Sequence, residues 1–196
     1  MKINKLIYFL ALLSILGSTR AQAEPTNTCQ TEVYFSHSEN LEQKLIQLIN
    51  NENLSIQIAV YQLKARSILD ALIQAKQRGV TITIITDPKI IPDMLPIYNF
   101  IKENHLDIYL WKCKKPFYVK NESTFKKIVP KLHNKFILFG SDKVWTGSCN
   151  FSKTAFTINA ENALLISCPF IVQKYQKAFG ELLRESYPYE IEKRSF

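Results

Sequence analysis

Five polar side chains fall in a spacing suited to handling an anion. They lie in His133-Asn-Lys135-Phe-Ile-Leu-Phe-Gly140, then Gly147-Ser148-Cys-Asn150-Phe, then Glu161-Asn162. Residues two apart on a strand share a face, so His133 and Lys135 would set an imidazole beside an ammonium. That pair suits a phosphate group. Phe136 and Leu138 would point the other way, into a core. Gly147-Ser148 ends the next expected strand and turns the chain, which lets Ser148 and Asn150 face the same spot. Glu161 opens a third strand and is placed to accept a hydrogen bond from the histidine ring. A lone H-x-K pair carries no information; the whole set does.

Positioning these groups requires a sheet, and the pattern alternates strand and helix. Strands are expected over Thr31–Ser36, Ser55–Gln62, Val80–Thr86, Leu106–Trp111, His133–Phe139, Lys143–Thr146 and Asn162–Ser167. Helices are expected over Asn40–Asn51, Arg66–Arg78 and Phe170–Leu183, each with an apolar stripe at helical spacing, and over Pro92–Asn104. Lys112–Pro130 is polar and weakly periodic, and is expected to be a long loop over the site. Such alternation favours one α/β domain, a mixed β-sheet flanked by helices on both faces.

The chain has 196 residues and a formal charge of +8. Lys2 and Lys5 precede an apolar run from Leu6 to Leu16, and Ala21-Gln22-Ala23 follows with small residues. That is the layout of a secretory signal peptide, 1–23, with cleavage expected after Ala23. The expected mature domain, 24–196, is then periplasmic or secreted and of ordinary single-domain size. The leader removes three basic residues and no acid, leaving +5. Eight lysines lie between Lys112 and Lys135 against Glu122 alone, so the basicity is local. Four cysteines remain, Cys29, Cys113, Cys149 and Cys168. They permit two disulfides in three connectivities, which spacing does not separate. His37, His105 and His133 are the only histidines and lie in no ligand-spaced cluster, so neither metal nor cofactor is expected. His37 and His105 are expected at the surface.

Taken together, H-x-K, G-S-x-N-F and Glu-Asn resemble the phospholipase D superfamily motif, in the form of small exported bacterial endonucleases with a single motif. A strand ending near Tyr61, Ala75-x-x-x-Arg78-Gly79, and a strand ending in Asp87 match in kind. One position departs: the family motif is H-x-K-x(4)-D, and Gly140 stands where the Asp would be.

The resemblance implies a metal-independent phosphodiesterase working through a covalent phosphohistidine. His133 would be the nucleophile, with Lys135 and Asn150 on the phosphate oxygens. Glu161 would fix the ring, and Ser148 would support the site. One motif supplies one histidine where the reaction needs two, which implies a homodimer. The Lys112–Lys131 segment interleaves lysines with Phe117, Tyr118 and Phe125, a mixture suited to phosphate contact and base stacking. Nucleic acid is the expected substrate, contacted by Lys114, Lys115, Lys126 and Lys127. Two alternatives stand beside it. One is a phospholipase D-type lipid hydrolase or transferase seated on anionic phospholipid. The other is a weakened binding homologue, because of Gly140.

Overall fold

The structure, a computed structural model, describes residues 29–112, 115–120 and 125–190. The expected leader, Lys114 and Cys113 lie outside the described residues, as do the side chains of Phe117, Tyr118, Phe125 and Lys126.

The main sheet has eight strands in the order β1-β9-β8-β7-β2-β3-β4-β10. Its ranges are β1 Gln30–Phe35, β2 Ser55–Val60, β3 Thr81–Thr86, β4 Asp107–Trp111, β7 Lys135–Phe139, β8 Lys143–Gly147, β9 Asn162–Ser167 and β10 Ser186–Pro188. β2, β3 and β4 run parallel. Every other pairing in the sheet is antiparallel. β5 Phe117–Lys120 and β6 Phe125–Ile128 form a separate hairpin. The helices are α1 Leu41–Asn51, α2 Arg66–Gln77, α3 Ile91–Glu103, α4 Lys153–Thr157 and α5 Pro169–Arg184. Among the described residues, none is long and apolar enough to cross a membrane.

Two cores explain the expected layers. On one face Leu41, Leu45 and Ile49 of α1 and Ile68, Leu69 and Leu72 of α2 meet Ile56, Ile58, Ile82 and Ile84 of the sheet. On the other, Val172 and Phe179 of α5 meet Ala59, Ile85, Phe136 and Leu138. Consecutive residues of β7 thus enter opposite cores, and the strand is buried throughout. Burying each such side chain contributes about 1.5–3 kcal/mol. Asn40 caps α1 by accepting from Gln43 N at 3.0 Å.

Three expectations change. Lys112–Pro130 is not a plain loop but carries the β5–β6 hairpin. Its strands, Phe-Tyr-Val-Lys and Phe-Lys-Lys-Ile, are too short to show a period in sequence. The strand expected from His133 begins at Lys135. His133 belongs to an unladdered approach, whose peptides bond to loop partners instead of a neighbouring strand. Cys29 and Cys168 form a disulfide, whereas Cys149 is free and buried, so two disulfides drawn from all four cysteines are excluded. Helix α4 and strand β10 were not foreseen; both are five residues or fewer.

β8 and β9 approach so closely at Gly147 that a Cβ there would lie 2.2 Å from Asn162 O, which is backbone. Gly147→Ala should therefore lower stability by about 2–3 kcal/mol, read as a reduced Tm. An unchanged Tm would contradict this packing.

Candidate active site

The strand directions gather the polar residues at one edge of the sheet. β1, β2, β3 and β8 end there, and β7 and β9 begin there. The residues just past those ends are Ser36, Tyr61, Asp87 and Ser148, and those just before the starts are His133 and Glu161. Clefts at the carboxyl ends of parallel strands are common ligand sites in such sheets.

His133 is exposed and Lys135 is buried. The Lys135 ammonium donates to His133 O at 2.8 Å and meets His133 Nδ1 at 3.1 Å. An ammonium has no lone pair, so Nδ1 accepts here and the ring proton of the neutral imidazole sits on Nε2. The Tyr61 ring lies against the imidazole, centroids 5.1 Å apart. Lys131 and Lys135 stand 5.5 and 5.8 Å from the Tyr61 centroid, within cation–π reach. Partial burial, then Lys135, then Lys131 lower the His133 pKa, and Asp87 opposes them. Burial lowers the Lys135 pKa, while the charge of Glu161 raises it. The site is an imidazole and two ammonium groups sharing an aromatic platform.

The second half is a hydrogen-bonded frame. Ser148 Oγ donates to Glu161 Oε2 and accepts from Asn162 N at 3.1 Å. Asn159 Nδ2 donates to Glu161 Oε1 at 3.1 Å, and Glu161 N donates to Ser36 Oγ at 2.8 Å. Both Glu161 oxygens are thus engaged away from the ring. The expected Glu161–His133 hydrogen bond is replaced by one to Ser148. Gly147 pairs with Ala163, which puts the serine beside the glutamate. Glu161 still acts on the site through its charge on Lys135.

Asn150 is held by its neighbour. Phe151 is fully buried, donates its N–H to Gln62 O at 3.0 Å, and accepts from Lys64 N and Ala65 N at 2.8 and 2.9 Å. Asn150 Oδ1 is buried without a hydrogen-bond partner among the described residues. Cys149 is no nucleophile: burial, then the Glu161 charge, pushes its thiol up to about 12. Of the lysines expected to meet substrate, Lys115 and Lys127 are exposed and Lys126 lies on β6. His37 and His105 are exposed, as expected. Among the described residues no three His, Cys, Asp or Glu side chains are grouped to hold a metal.

Tyr61, Asp87, Lys131, Asn159 and Ser36 join the site without having been assigned to it. Tyr61 and Asp87 appeared only as strand ends. A signal existed in their position, since both end neighbouring parallel strands.

Gly140 lies in the β7–β8 turn with φ +52°, at the opposite edge of the sheet from His133. By strand rise the two are roughly 15 Å or more apart. A Cβ at Gly140 would lie 3.7 Å from both oxygens of Glu52. Glu52 Oε1 already accepts from Asn53 N, Leu54 N and Ser55 N at 3.0, 2.7 and 3.3 Å. A carboxylate therefore stands beside the missing Asp position, supplied from the turn after α1. Gly140 thus lies away from the His133 end of the sheet.

Comparison with known proteins shows the family and the fold. The family model described as "Cardiolipin synthase, PLD-like domain" matches residues 45–183. The chain belongs to this phospholipase D-like family, within a superfamily of phosphodiesterases. A "Phospholipase D" of Rickettsia prowazekii is 28% identical over 132 residues, covering 67% of this chain and 57% of the relative. The chain thus spans little more than half the length of that relative. The fold is shared with the phospholipase D family member Nuc from Salmonella typhimurium, TM-score 0.70 at 23% identity, covering 84% of this chain and all of that one. It is shared also with NucT from Helicobacter pylori, TM-score 0.65 at 20% identity, covering 83% of this chain and all of that one.

Restoring the family residue should not help. Gly140→Asp would place a second carboxylate beside Glu52 at positive φ, costing about 1–2 kcal/mol. The expected result is a lower Tm with turnover unchanged. A gain in activity would contradict the role given to Glu52.

Proposed function

We propose that the chain is an exported phosphodiesterase that cleaves nucleic acid through a covalent phosphohistidine on His133, without metal, in a homodimeric site. The observation that carries this is the His133 imidazole set between Lys135 and Lys131 on the Tyr61 ring. A phosphodiester repels nucleophiles by its charge, and fixed cations offset that charge in the transition state.

Phosphate oxygens compete with Nδ1 for the Lys135 ammonium. Once Lys135 turns to phosphate, Nδ1 can hold the ring proton and Nε2 becomes the free lone pair. Nε2 attacks phosphorus, the phosphorus–oxygen bond to the leaving group breaks, and that oxygen takes a proton from the partner's His133. Water then attacks the phosphohistidine, gives its proton to the partner's His133, and releases Nε2. Asn150, its amide turned by half a rotation, donates Nδ2–H to a phosphate oxygen.

A second copy is needed because a single imidazole cannot both attack and protonate the departing oxygen. Phe35 and Ile158, both exposed, border the Ser36–Glu161 hydrogen bonds and supply apolar rim for such an interface. Nucleic acid is favoured by the lysines of the β5–β6 hairpin, which leads directly into the His133 segment. The 1–23 leader supports export, and so does the Cys29–Cys168 disulfide, which persists in an oxidising compartment. A lipid substrate is the rival, favoured by the name of the Rickettsia relative.

The purified 24–196 protein, incubated in EDTA with plasmid DNA and separately with phosphatidylcholine vesicles, decides between them. DNA cleavage abolished by His133→Ala is expected. Intact DNA with cleaved lipid would overturn the nuclease reading, and loss of activity in EDTA would overturn the metal-free one. The lowered His133 pKa also fixes the sign of the pH dependence. The rate should rise with pH through a pKa below the ordinary 6.5 of histidine, as the nucleophile loses its proton, and fall later as the general acid loses its own. A rate that never declines on the acid side would contradict the mechanism.

A further inference from the structure

We infer that Asp87 is a positioning residue for His133: its buried carboxylate fixes the peptide that carries the imidazole and supplies the negative charge facing the ring opposite two lysines. The inference rests on His133 being the reacting group.

Asp87 follows β3 directly and is wholly buried. Its Oδ1 accepts from Lys89 N at 2.9 Å, an ordinary cap on the short 3-10 turn at Pro88–Ile90. A cap alone explains neither the second oxygen nor the burial, since burying a carboxylate is expensive unless its acceptors are used. Oδ2 points the other way and accepts from Leu132 N at 2.7 Å, across 45 residues of sequence. Lys89 adds a parallel tie, its Nζ donating to Pro130 O at 2.7 Å. On the far side of His133, Asn134 O accepts from Tyr61 N at 3.0 Å.

The imidazole therefore hangs from a peptide pinned on both flanks, where no strand ladder exists to hold it. The pins come from the ends of β2, which pairs with β7, and of β3, the strand beyond β2 in the sheet order. Without Asp87 the Leu132 N–H would be buried and unpaired, and the segment would shift to find a partner.

Charge supplies the second effect. The groups facing His133 are Lys135 at the start of β7, Lys131 on its own segment, Tyr61 after β2 and Asp87 after β3. Lys89 sits beside Asp87 with its N–H on Oδ1 and its ammonium on Pro130 O, and Tyr98 feels the Asp87 charge, its own phenol pKa raised first by burial. Among the charges acting on the ring, Asp87 is the one that favours the protonated imidazole. Neutralising it leaves the two lysines unopposed, so His133 must titrate at lower pH.

The test is an NMR titration of His133 in wild-type and Asp87→Asn protein, assigned with His133→Ala. Asparagine keeps an acceptor oxygen and the volume but removes the charge. A downward shift of the His133 titration is expected. With it, kcat should fall about 10- to 100-fold with KM little changed, as for a misplaced reacting group. Asp87→Glu should return the titration toward wild type without restoring the rate. An unchanged titration in folded Asp87→Asn protein would overturn the inference. If that variant does not fold, the wild-type Leu132 amide decides: it should exchange as slowly as those of β7, and rapid exchange would overturn the assignment. The titration needs no substrate. A protein without phosphodiesterase activity in which Asp87→Asn still shifts His133 would therefore count against the proposed function and not against Asp87.

Discussion

The site depends on keeping three cationic or potentially cationic groups together at one edge of a sheet. His133, Lys135 and Lys131 repel one another when charged, and such a cluster would disperse if it were free to move. The fold answers with geometry and counter-charge. Lys135 is buried and tied to His133 O, Tyr61 offers its ring face to both ammonium groups, and Asp87 and Glu161 supply negative charge. Partial burial and then the repulsion of the two lysines lower the His133 pKa and so favour the neutral imidazole, the form that can attack phosphorus.

The sheet topology makes this arrangement possible. Three parallel strands deliver their ends to one edge, and the antiparallel β7, β8 and β9 return chain to that same edge. Residues remote in sequence meet there because strand direction, not local pattern, sets their position. Gly147 lets β8 and β9 close up, and that approach is what puts Ser148 on Glu161. At the opposite edge, Glu52 organises the turn before β2 beside Gly140. The two edges have separate tasks.

Much of this was legible in the sequence, for physical reasons. Ile56, Ile58 and Val60 recur at every second position of β2, and α1 and α2 carry stripes wide enough to be read directly. Ser148 and Glu161 sit next to the ends of the paired strands β8 and β9, so their proximity followed from that pairing. The partner of Glu161 was not legible, because choosing Ser148 over His133 depends on the close β8–β9 contact. Asp87 and Tyr61 escaped assignment because their contacts join β2 and β3 to a segment 45 or more residues away. The β5–β6 strands were missed because four residues cannot display a period.

The central claim is that phosphorus is bonded to His133 during turnover. Acid-labile, base-stable phosphohistidine can be sought by denaturing the protein in alkali during turnover and locating the adduct by mass spectrometry. A phosphorylated peptide containing His133, formed in EDTA and absent from His133→Asn, is the expected result. Turnover that leaves phosphorus on another side chain, or on none under conditions where the adduct survives, would contradict the account.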